Sequence, residues 1–458
     1  MANPVPSSKG WTKNISSMAS GVYFPLDHIP DPSLQFYRSQ KNSKNSSSAS
    51  VIIKDQRTRN GSESESECCI YRVPERLRRL NPEAYSPRFI AIGPLHHGKE
   101  ELQAMEEHKL RYLQSFIPRT DLSIEELVET VRTWEERARN CYAEPLKLSS
   151  HDFVKMMIID GSFLVELILK FRYPELVGES DRIYKKPRMV YDVVRDMILL
   201  ENQLPGFVVK AIFGLLSVHY RERIHPEIIH HFFGFVLSMN GFSQGKFISE
   251  PDHFIDLIRS RCLPSVPHRS EAQTKKLDTP PAAIELNNAG VRFKLEKTRS
   301  YSLDISFANG VITIPTIIIG DLTETLYRNI IAFEQCHYES ASDNYFTQYA
   351  LLLSCFMKSA MDADFLARCG ILVNRLGNGE DVSRLFNSIY KEVFVSRFYF
   401  QTLSEDLNSY CNKPWNKWKA TLRRDYFKNP WSVASVLAAA VLLLLTFTQT
   451  VCSILALS

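Results

Sequence analysis

The sequence predicts a mainly α protein: a large helical cytosolic body with a small antiparallel β-hairpin inset and one C-terminal transmembrane helix. Apolar residues recur at helical spacing through most of the chain. Asn309-Gly310 lies between two runs in which apolar and polar residues alternate, which is a strong hairpin signal. The stretch 431–457 carries no charge, and a helix needs about 20 predominantly apolar residues to span a bilayer.

Composition indicates a globular protein with room for one large domain or several smaller ones. The 458 residues are 44% hydrophobic and 23% charged, with a net charge of +4. That small surplus argues against a dedicated nucleic-acid binder, whose domain usually has a stronger basic excess. The nine cysteines include no C-x-x-C pair. Neither a zinc cage nor a disulfide framework is indicated, and a reducing compartment is favoured.

The chain is predicted to begin with a disordered leader, residues 1–67, that is rich in Ser, Asn and Glu. Few large apolar residues follow Phe36, and the leader closes on a Ser-Glu alternation from Ser62 to Glu67. Such a segment cannot bury enough surface to offset the entropy lost on ordering. A solvated leader is the favoured interpretation, and a regulatory phosphorylation site within the alternation is the alternative.

The body divides at a proline-rich segment without apolar periodicity. Residues 68–261 are predicted to form the helical first half, and residues 262–283 a Pro-rich linker. Residues 284–412 are predicted to form the second half, with the hairpin followed by further helices.

Three local patterns in the first half predict helices. Ser123 and Glu126 form a capping box at a helix start. The apolar stretch 153–171 is interrupted by charged residues, Lys155, Asp160 and Glu166 among them, so it is predicted to be a central buried helix and not a membrane span. A further helix is predicted over 191–204, where Pro205 must end it.

Residues 413–430 are predicted to be a basic, aromatic juxtamembrane segment before a transmembrane helix at 431–457. Basic residues mark the cytoplasmic flank of a span, and aromatic rings prefer the membrane interface. This predicts a single-pass, tail-anchored protein with its body in the cytosol, at either the plasma membrane or an endomembrane. Nucleic-acid binding is the alternative use of the segment, which adjacency to the span disfavours. The predicted interface residues are Lys413, Trp415, Lys417, Trp418, Lys419, Arg423, Arg424, Tyr426, Lys428 and Trp431.

Small and polar residues recur within the predicted span. Ala434 and Ala438 are spaced for close helix approach, and Gln449 would seek a hydrogen-bond partner in hydrocarbon. These residues predict a self-association face, beside the simpler interpretation of an anchor.

Motifs of common enzymes are missing. The sequence contains no phosphate-binding loop, dinucleotide-binding glycine motif, nucleophile elbow or H-E-x-x-H. The histidines do not follow a metal-ligand spacing and are interpreted as surface or capping residues. Catalytic, cofactor-binding and metal-binding residues are therefore not predicted, and a non-enzymatic role is favoured.

Four acidic residues within apolar segments leave an enzymatic alternative open: Asp160, Glu166, Asp196 and Glu201. Carboxylates that share a cleft can have shifted pKa values suited to acid-base chemistry. That use requires at least two of them to converge with a His or Arg in an open cleft. The favoured interpretation is that each is paired inside a helical core, because a buried charge must be satisfied.

Several ordered motifs together resemble one plant family. They include Ile70 to Pro74, Ile92 to Gly98, Met156 to Phe163, Asp196 to Pro205 and Arg328 to Cys336, and the matching stretch extends from Cys68 to the end of the chain. These segments resemble the family catalogued as domain of unknown function 247. The resemblance implies a plant membrane protein without a defined activity, and for some members a role in self-incompatibility.

The combined prediction is a membrane-tethered plant protein that acts by protein-protein interaction, with recognition or signalling implied by the resemblance. Its expected partners are membrane lipid through the C-terminal helix, an unknown protein and a second copy of itself. The alternative is a membrane-associated enzyme that uses the four acidic residues.

Overall fold

A computed structural model describes most of the body and the C-terminal helix. The described residues are 68–186, 188–221, 228–239, 242, 250–263, 278–296, 303–338, 344–395, 398–414, 418 and 430–457. The described residues within 68–184 and 188–457 belong to one compact unit. The predicted leader and residues 264–277 of the predicted linker lie outside the described residues, so these two predictions stay untested.

Helices dominate the described chain. They are α1 (Glu75–Arg78), α2 (Glu106–Phe116), α3 (Ile124–Arg132), α4 (Glu135–Asn140), α5 (Ser150–Arg172), α6 (Arg182–Lys185), α7 (Met189–Met197), α8 (Gly206–Gly214), α9 (Val218–Arg221), α10 (Ile228–Met239), α11 (Phe254–Cys262), α12 (Ala283–Asn288), α13 (Thr323–His337), α14 (Tyr345–Phe356), α15 (Ala360–Arg368), α16 (Gly379–Ile389), α17 (Gln401–Asn412) and α18 (Pro430–Leu457). The strands are β1 (Arg292–Leu295), β2 (Ser306–Ala308), β3 (Val311–Ile314), β4 (Ile317–Ile319) and β5 (Leu372–Asn374).

Helix α5 is the centre of the first half. Ser149 caps its N-terminus by accepting a hydrogen bond from the Asp152 N–H. Nearly every residue from Phe153 to Lys170 is buried, because α2, α3, α8 and α10 pack around the helix. A helix that is apolar on all sides belongs inside a core. The prediction of a central buried helix is therefore confirmed, as is the capping box of Ser123 and Glu126 at the start of α3.

The second half contains the predicted hairpin within a mixed sheet. Strands β2 and β3 pair antiparallel, and the turn between them places Asn309 at φ 52° and Gly310 at φ 72°. Both are the positive angles that a tight hairpin turn requires. Strand β1 pairs with β3 in parallel, and a separate sheet pairs β4 with β5 in parallel. These two parallel pairings were not predicted, because each joins strands that are distant in sequence.

Helix α7 ends seven residues earlier than predicted, at Met197 instead of Leu204. Side chains replace the helical hydrogen bonds in the segment that follows. The Gln203 amide donates to the carbonyls of Met197 and Leu199 at 2.7 Å each. The Asn202 amide donates to the carbonyl of Asp196 at 3.0 Å. Because these amides satisfy the backbone, the chain can leave the helix while it stays buried.

The C-terminal prediction needs a correction. Residues 430–457 form α18, but no helix in the described part of the chain is both long and apolar enough to cross a membrane. The predicted transmembrane helix is therefore wrong. The prediction counted only charged residues as interruptions, although polar residues also divide the run. The described fold is mainly helical with small sheets.

Candidate functional site

The four acidic residues singled out in the sequence are all buried in the first half. Asp160 and Glu166 lie on α5, Asp196 lies at the end of α7, and Glu201 lies in the irregular segment that follows. Their exposed fractions are 2% or less. We refer to them as the four buried carboxylates. What each contacts decides whether they form a reactive site or hold the fold together.

Asp196 binds backbone N–H groups of a segment far away in sequence. Its carboxylate accepts hydrogen bonds from the N–H of Arg88, of Phe89 at 2.6 Å and of Ile90 at 2.9 Å. The neighbouring Arg195 guanidinium donates to it at 2.7 Å. Burial raises the pKa of Asp196, although these donors favour its ionised form. Its acceptor positions are therefore occupied by the protein itself.

Asp160 is one half of a buried ion pair. One of its oxygens accepts from the Lys109 ammonium at 2.6 Å, and the other accepts from the Gly93 N–H at 2.8 Å. Lys109, which is also fully buried, contacts Glu106 at 2.6 Å. Burial raises the pKa of Asp160 despite the opposing charge of Lys109.

Glu166 is paired in the same way, with Arg119 in the short turn that follows α2. The Arg119 guanidinium donates to its Oε1 at 2.6 Å. Burial raises the pKa of Glu166, and the hydrogen bond and charge of Arg119 partly offset that effect. This carboxylate too is occupied by a protein partner.

Glu201 differs because it contacts both an arginine and a histidine. Its Oε1 accepts from the Val73 N–H at 2.7 Å and from the Arg78 guanidinium at 2.5 Å. Its Oε2 lies 3.4 Å from Nε2 of His96. Burial opposes ionisation of Glu201, but His96, Arg78 and the Val73 N–H outweigh it and lower the pKa of the carboxylate.

A cavity of about 460 Å³ opens beside Glu201. We refer to it as the Glu201 cavity. Charged residues of both signs line it, and the remaining three buried carboxylates do not. Its lining consists of Arg72, Val73, Pro74, Glu75, Arg78, Leu95, His96, Lys99, Glu144 and Glu201.

Together, the buried side chains bind the segment 70–93, which contains little regular structure. Backbone N–H groups of this segment donate to Glu201, Asp196 and Asp160, as described above. The N–H of Ile92 donates in addition to Oδ1 of Asn202 at 2.7 Å. Backbone groups buried without a partner are costly, so a buried loop needs such acceptors. The carboxylates therefore hold this segment onto the helical core.

Gly93 lies where this segment passes closest to the core. Its φ is +75°, and a Cβ added there would lie 2.2 Å from the carbonyl oxygen of Gln203. Gly98 has a similar φ of +80°, but nothing lies within 4 Å of an added Cβ. The two glycines thus share a backbone conformation and differ in the space around them.

We expect Gly93→Ala to destabilise the protein by about 3 kcal/mol, because a steric clash adds to the unfavourable φ. Gly98→Ala is the matched control and should cost about 1 kcal/mol, since it incurs only the backbone term. Urea unfolding of both variants measures the difference. Equal losses at the two positions would contradict the close approach at Gly93.

A second set of buried polar residues was not singled out from the sequence. Glu334 accepts from the Arg259 guanidinium at 2.7 Å and from the Thr347 N–H at 2.8 Å. The Asn329 amide accepts from the Leu200 N–H at 2.9 Å and donates to the carbonyl of Ala84 at 2.8 Å. Both lie on α13, in a motif noted only for family membership. A polar residue on the apolar face of a helix is the signal that could have found them.

The structure describes only some of the residues that were predicted to lie at the membrane interface or on the self-association face. Lys413 and Trp418 are exposed, as are Ala434, Ala438 and Gln449 on α18. The other predicted interface residues lie outside the described residues, or their side chains do. These assignments stay predictions.

Metal-binding chemistry finds no support in the described ranges. They contain no group of three or more His, Cys, Asp or Glu side chains that could hold a metal ion. None of the nine cysteines, all of which the structure describes, forms a disulfide bond. The prediction that the histidines lie at the surface or at caps is wrong for His96, which is 4% exposed.

Comparison with known proteins identifies the family. The family described as "Plant protein of unknown function" (DUF247) matches residues 70–445. UPF0481 protein At3g47200 of Arabidopsis thaliana is 29% identical over 416 residues, which cover 85% of this chain and 86% of that protein. Putative UPF0481 protein At3g02645, from the same plant, is 24% identical, and the match covers 83% and 89% of the two chains. No solved structure matches significantly. This chain belongs to the DUF247 family of plant proteins.

Proposed function

We propose that this protein acts by binding another protein, and that an exposed aromatic loop at residues 391–395 provides the anchor. The observation that carries the proposal is the side chain of Phe394, which is 68% exposed although the backbone around it is held in place. Large aromatic side chains that a folded protein leaves exposed are the typical anchors of protein interfaces. We refer to residues 391–395 as the Phe394 loop.

The backbone of the Phe394 loop is fixed by a side chain of α13. The N–H of Phe394 donates to Oε1 of Gln335 at 3.0 Å, and its carbonyl accepts from Nε2 of the same amide at 3.0 Å. These two hydrogen bonds leave the aromatic ring facing solvent. An anchor that is already ordered loses less entropy on binding than a mobile one.

The loop also contains a strained residue. Glu392 has a φ of 61°, in the left-handed region that residues other than glycine rarely adopt. Its carboxylate accepts from Arg79 at 2.9 Å, which helps to hold this conformation. Such a conformation costs on the order of 1 kcal/mol or more, and strained residues cluster at binding sites.

Charge around the loop indicates the chemistry of the partner. Lys391 directly precedes Glu392 in the sequence. The Arg76 guanidinium donates to the carbonyl of Glu392, and the Arg79 guanidinium donates to its carboxylate. Three cations against one carboxylate leave a basic rim. A complementary partner would offer an apolar pocket for Phe394 with acidic residues around it.

Proximity labelling in plant tissue, followed by binding measurements on each purified candidate, tests this proposal. We expect Phe394→Ala to weaken at least one partner about thirtyfold, as for an interface hot spot. Met361→Ala is the matched control, because Met361 is 67% exposed on another element, α15. Equal affinities of wild type and Phe394→Ala for every partner would contradict the proposal.

The enzymatic alternative is not favoured by the described residues. It requires two of the four buried carboxylates to converge with a His or Arg in an open cleft. Glu201 alone among them lines the Glu201 cavity, whereas Asp160, Glu166 and Asp196 are occupied by partners inside the core.

A further inference from the structure

The imidazole of His96 is buried at the wall of the Glu201 cavity. The side chain is 4% exposed, and neither ring nitrogen makes a hydrogen bond among the described residues; Nε2 lies 3.4 Å from Glu201, and Nδ1 is left without a partner. Buried polar atoms in native proteins are nearly always hydrogen-bonded to protein, water or ligand. The unpartnered nitrogen therefore indicates that something else occupies the cavity.

The neighbouring carboxylate lies beside Nε2 and leaves Nδ1 for another partner. Glu201 is held ionised by Arg78 and the Val73 N–H, so its Oε2 can only accept a hydrogen bond. Nε2 of His96 lies 3.4 Å from that oxygen. A hydroxyl group of a ligand suits Nδ1, because a hydroxyl can donate a hydrogen bond to a bare ring nitrogen or accept one from a protonated ring nitrogen.

The cationic side chains that line the cavity differ in whether they have an anionic partner. Arg72 pairs with Glu144 and Arg78 pairs with Glu201, both at 2.5 Å. The ammonium group of Lys99 has no hydrogen bond or ion pair within the described chain. One positive charge thus remains available beside His96.

A tight turn brings Lys99 back to His96. The N–H of Lys99 donates to the carbonyl of His96 at 3.4 Å, and Gly98 between them has a φ of +80°. Few residues other than glycine adopt this angle without strain. The turn places Nδ1 of His96 and the unpaired ammonium of Lys99 on one wall.

We propose that the Glu201 cavity binds a small hydroxylated anion. A hydroxyl of the ligand forms a hydrogen bond with Nδ1 of His96, and the ligand's anionic group contacts the Lys99 ammonium. A cavity of about 460 Å³ has the size of small-molecule sites, and its charged lining suits a polar ligand. Glu75, the remaining unpaired charge of the lining, is exposed and keeps its hydration.

Calorimetric titration of the full chain with three matched probes tests the proposal. Gluconate has both hydroxyls and a carboxylate, hexanoate has the carboxylate alone, and sorbitol has the hydroxyls alone. We expect gluconate to bind with a Kd of about 1 mM or tighter, and the other two at least tenfold more weakly. Absence of gluconate binding would mean that water alone occupies the cavity, which overturns the proposal. Equal binding of hexanoate or of sorbitol would also contradict it.

Two variants locate the binding within the cavity. His96→Leu removes the imidazole and Lys99→Met removes the cation, and each should weaken gluconate binding about tenfold. Lys99 is only half-buried, so its variant tests the site even if His96→Leu fails to fold. Lys155→Met, at an exposed position of α5, is the control and should bind like wild type. Undiminished binding by Lys99→Met would overturn the assignment to this cavity.

Discussion

Replacing Asp196 with asparagine is expected to destabilise the protein by about 3–5 kcal/mol, the range for breaking a buried charged network. The carboxylate accepts from the N–H groups of Arg88, Phe89 and Ile90, and from the Arg195 guanidinium. An asparagine amide supplies one acceptor oxygen where two are used, and its NH₂ group would face donors. The midpoint of urea unfolding measures the loss.

Asp192→Asn is the matched control for this prediction. Asp192 lies one turn earlier on α7, is partly exposed, and has its carboxylate 3.6 Å from the Arg188 guanidinium. A solvent-screened pair of this kind contributes little, so the cost should stay within about 0.5 kcal/mol. Similar losses for the two variants would show that Asp196 does not hold the 70–93 segment.

Lys109→Met should cost a similar amount, about 3–5 kcal/mol, because it leaves Asp160 buried without its cation. Lys155→Met on α5 is the control, since it removes an exposed lysine that has no ion pair in the described chain, and it should be nearly neutral. Thermal and urea unfolding of both variants measure the difference.

The double variant Lys109→Met/Asp160→Asn separates lost packing from unpaired charge. It should be more stable than Lys109→Met alone, because the buried charge is gone while the amide oxygen can still accept from Gly93. A double variant less stable than Lys109→Met would contradict this explanation.

The pH dependence of Lys109→Met gives an independent check with a defined sign. Burial already raises the pKa of Asp160, and removing Lys109 removes the charge that opposes this effect. The folded variant then binds more protons than the unfolded chain, so its stability falls as pH rises. We expect the free energy of unfolding of the variant to lie closer to that of wild type at about pH 5 than at about pH 8. A loss of stability that increases as the pH falls would contradict the pairing of Lys109 with Asp160.

Local patterns predicted those elements whose cause is local. The capping box at Ser123 and Glu126, the apolar stretch of α5 and the Asn309-Gly310 turn each depend on residues close in sequence. Non-local pairings escaped prediction for the opposite reason. Strand β5 pairs with β4 across more than 50 residues, and a three-residue strand carries too little alternation to be recognised.

The buried carboxylates show where prediction from sequence stopped. Their burial and pairing could be expected from charges within apolar runs, but their partners could not. Besides the adjacent Arg195, the donors to Asp196 are backbone groups more than 100 residues away, and backbone groups carry no sequence signal. The early end of α7 was missed for a related reason, since Gln203 and Asn202 take over its hydrogen bonds only in the folded chain.

Amide hydrogen exchange of the 70–93 segment tests the central claim most directly, namely that Asp160, Asp196 and Glu201 hold this segment and that the four buried carboxylates are not a reactive centre. The N–H groups of Phe89 and Ile90 belong to no helix or strand, so an ordinary loop would exchange them quickly. We predict protection comparable to that of the core of α5, and its loss in Asp196→Asn. Exchange of these two amides as fast as that of Lys147, in an exposed loop position, would contradict the account.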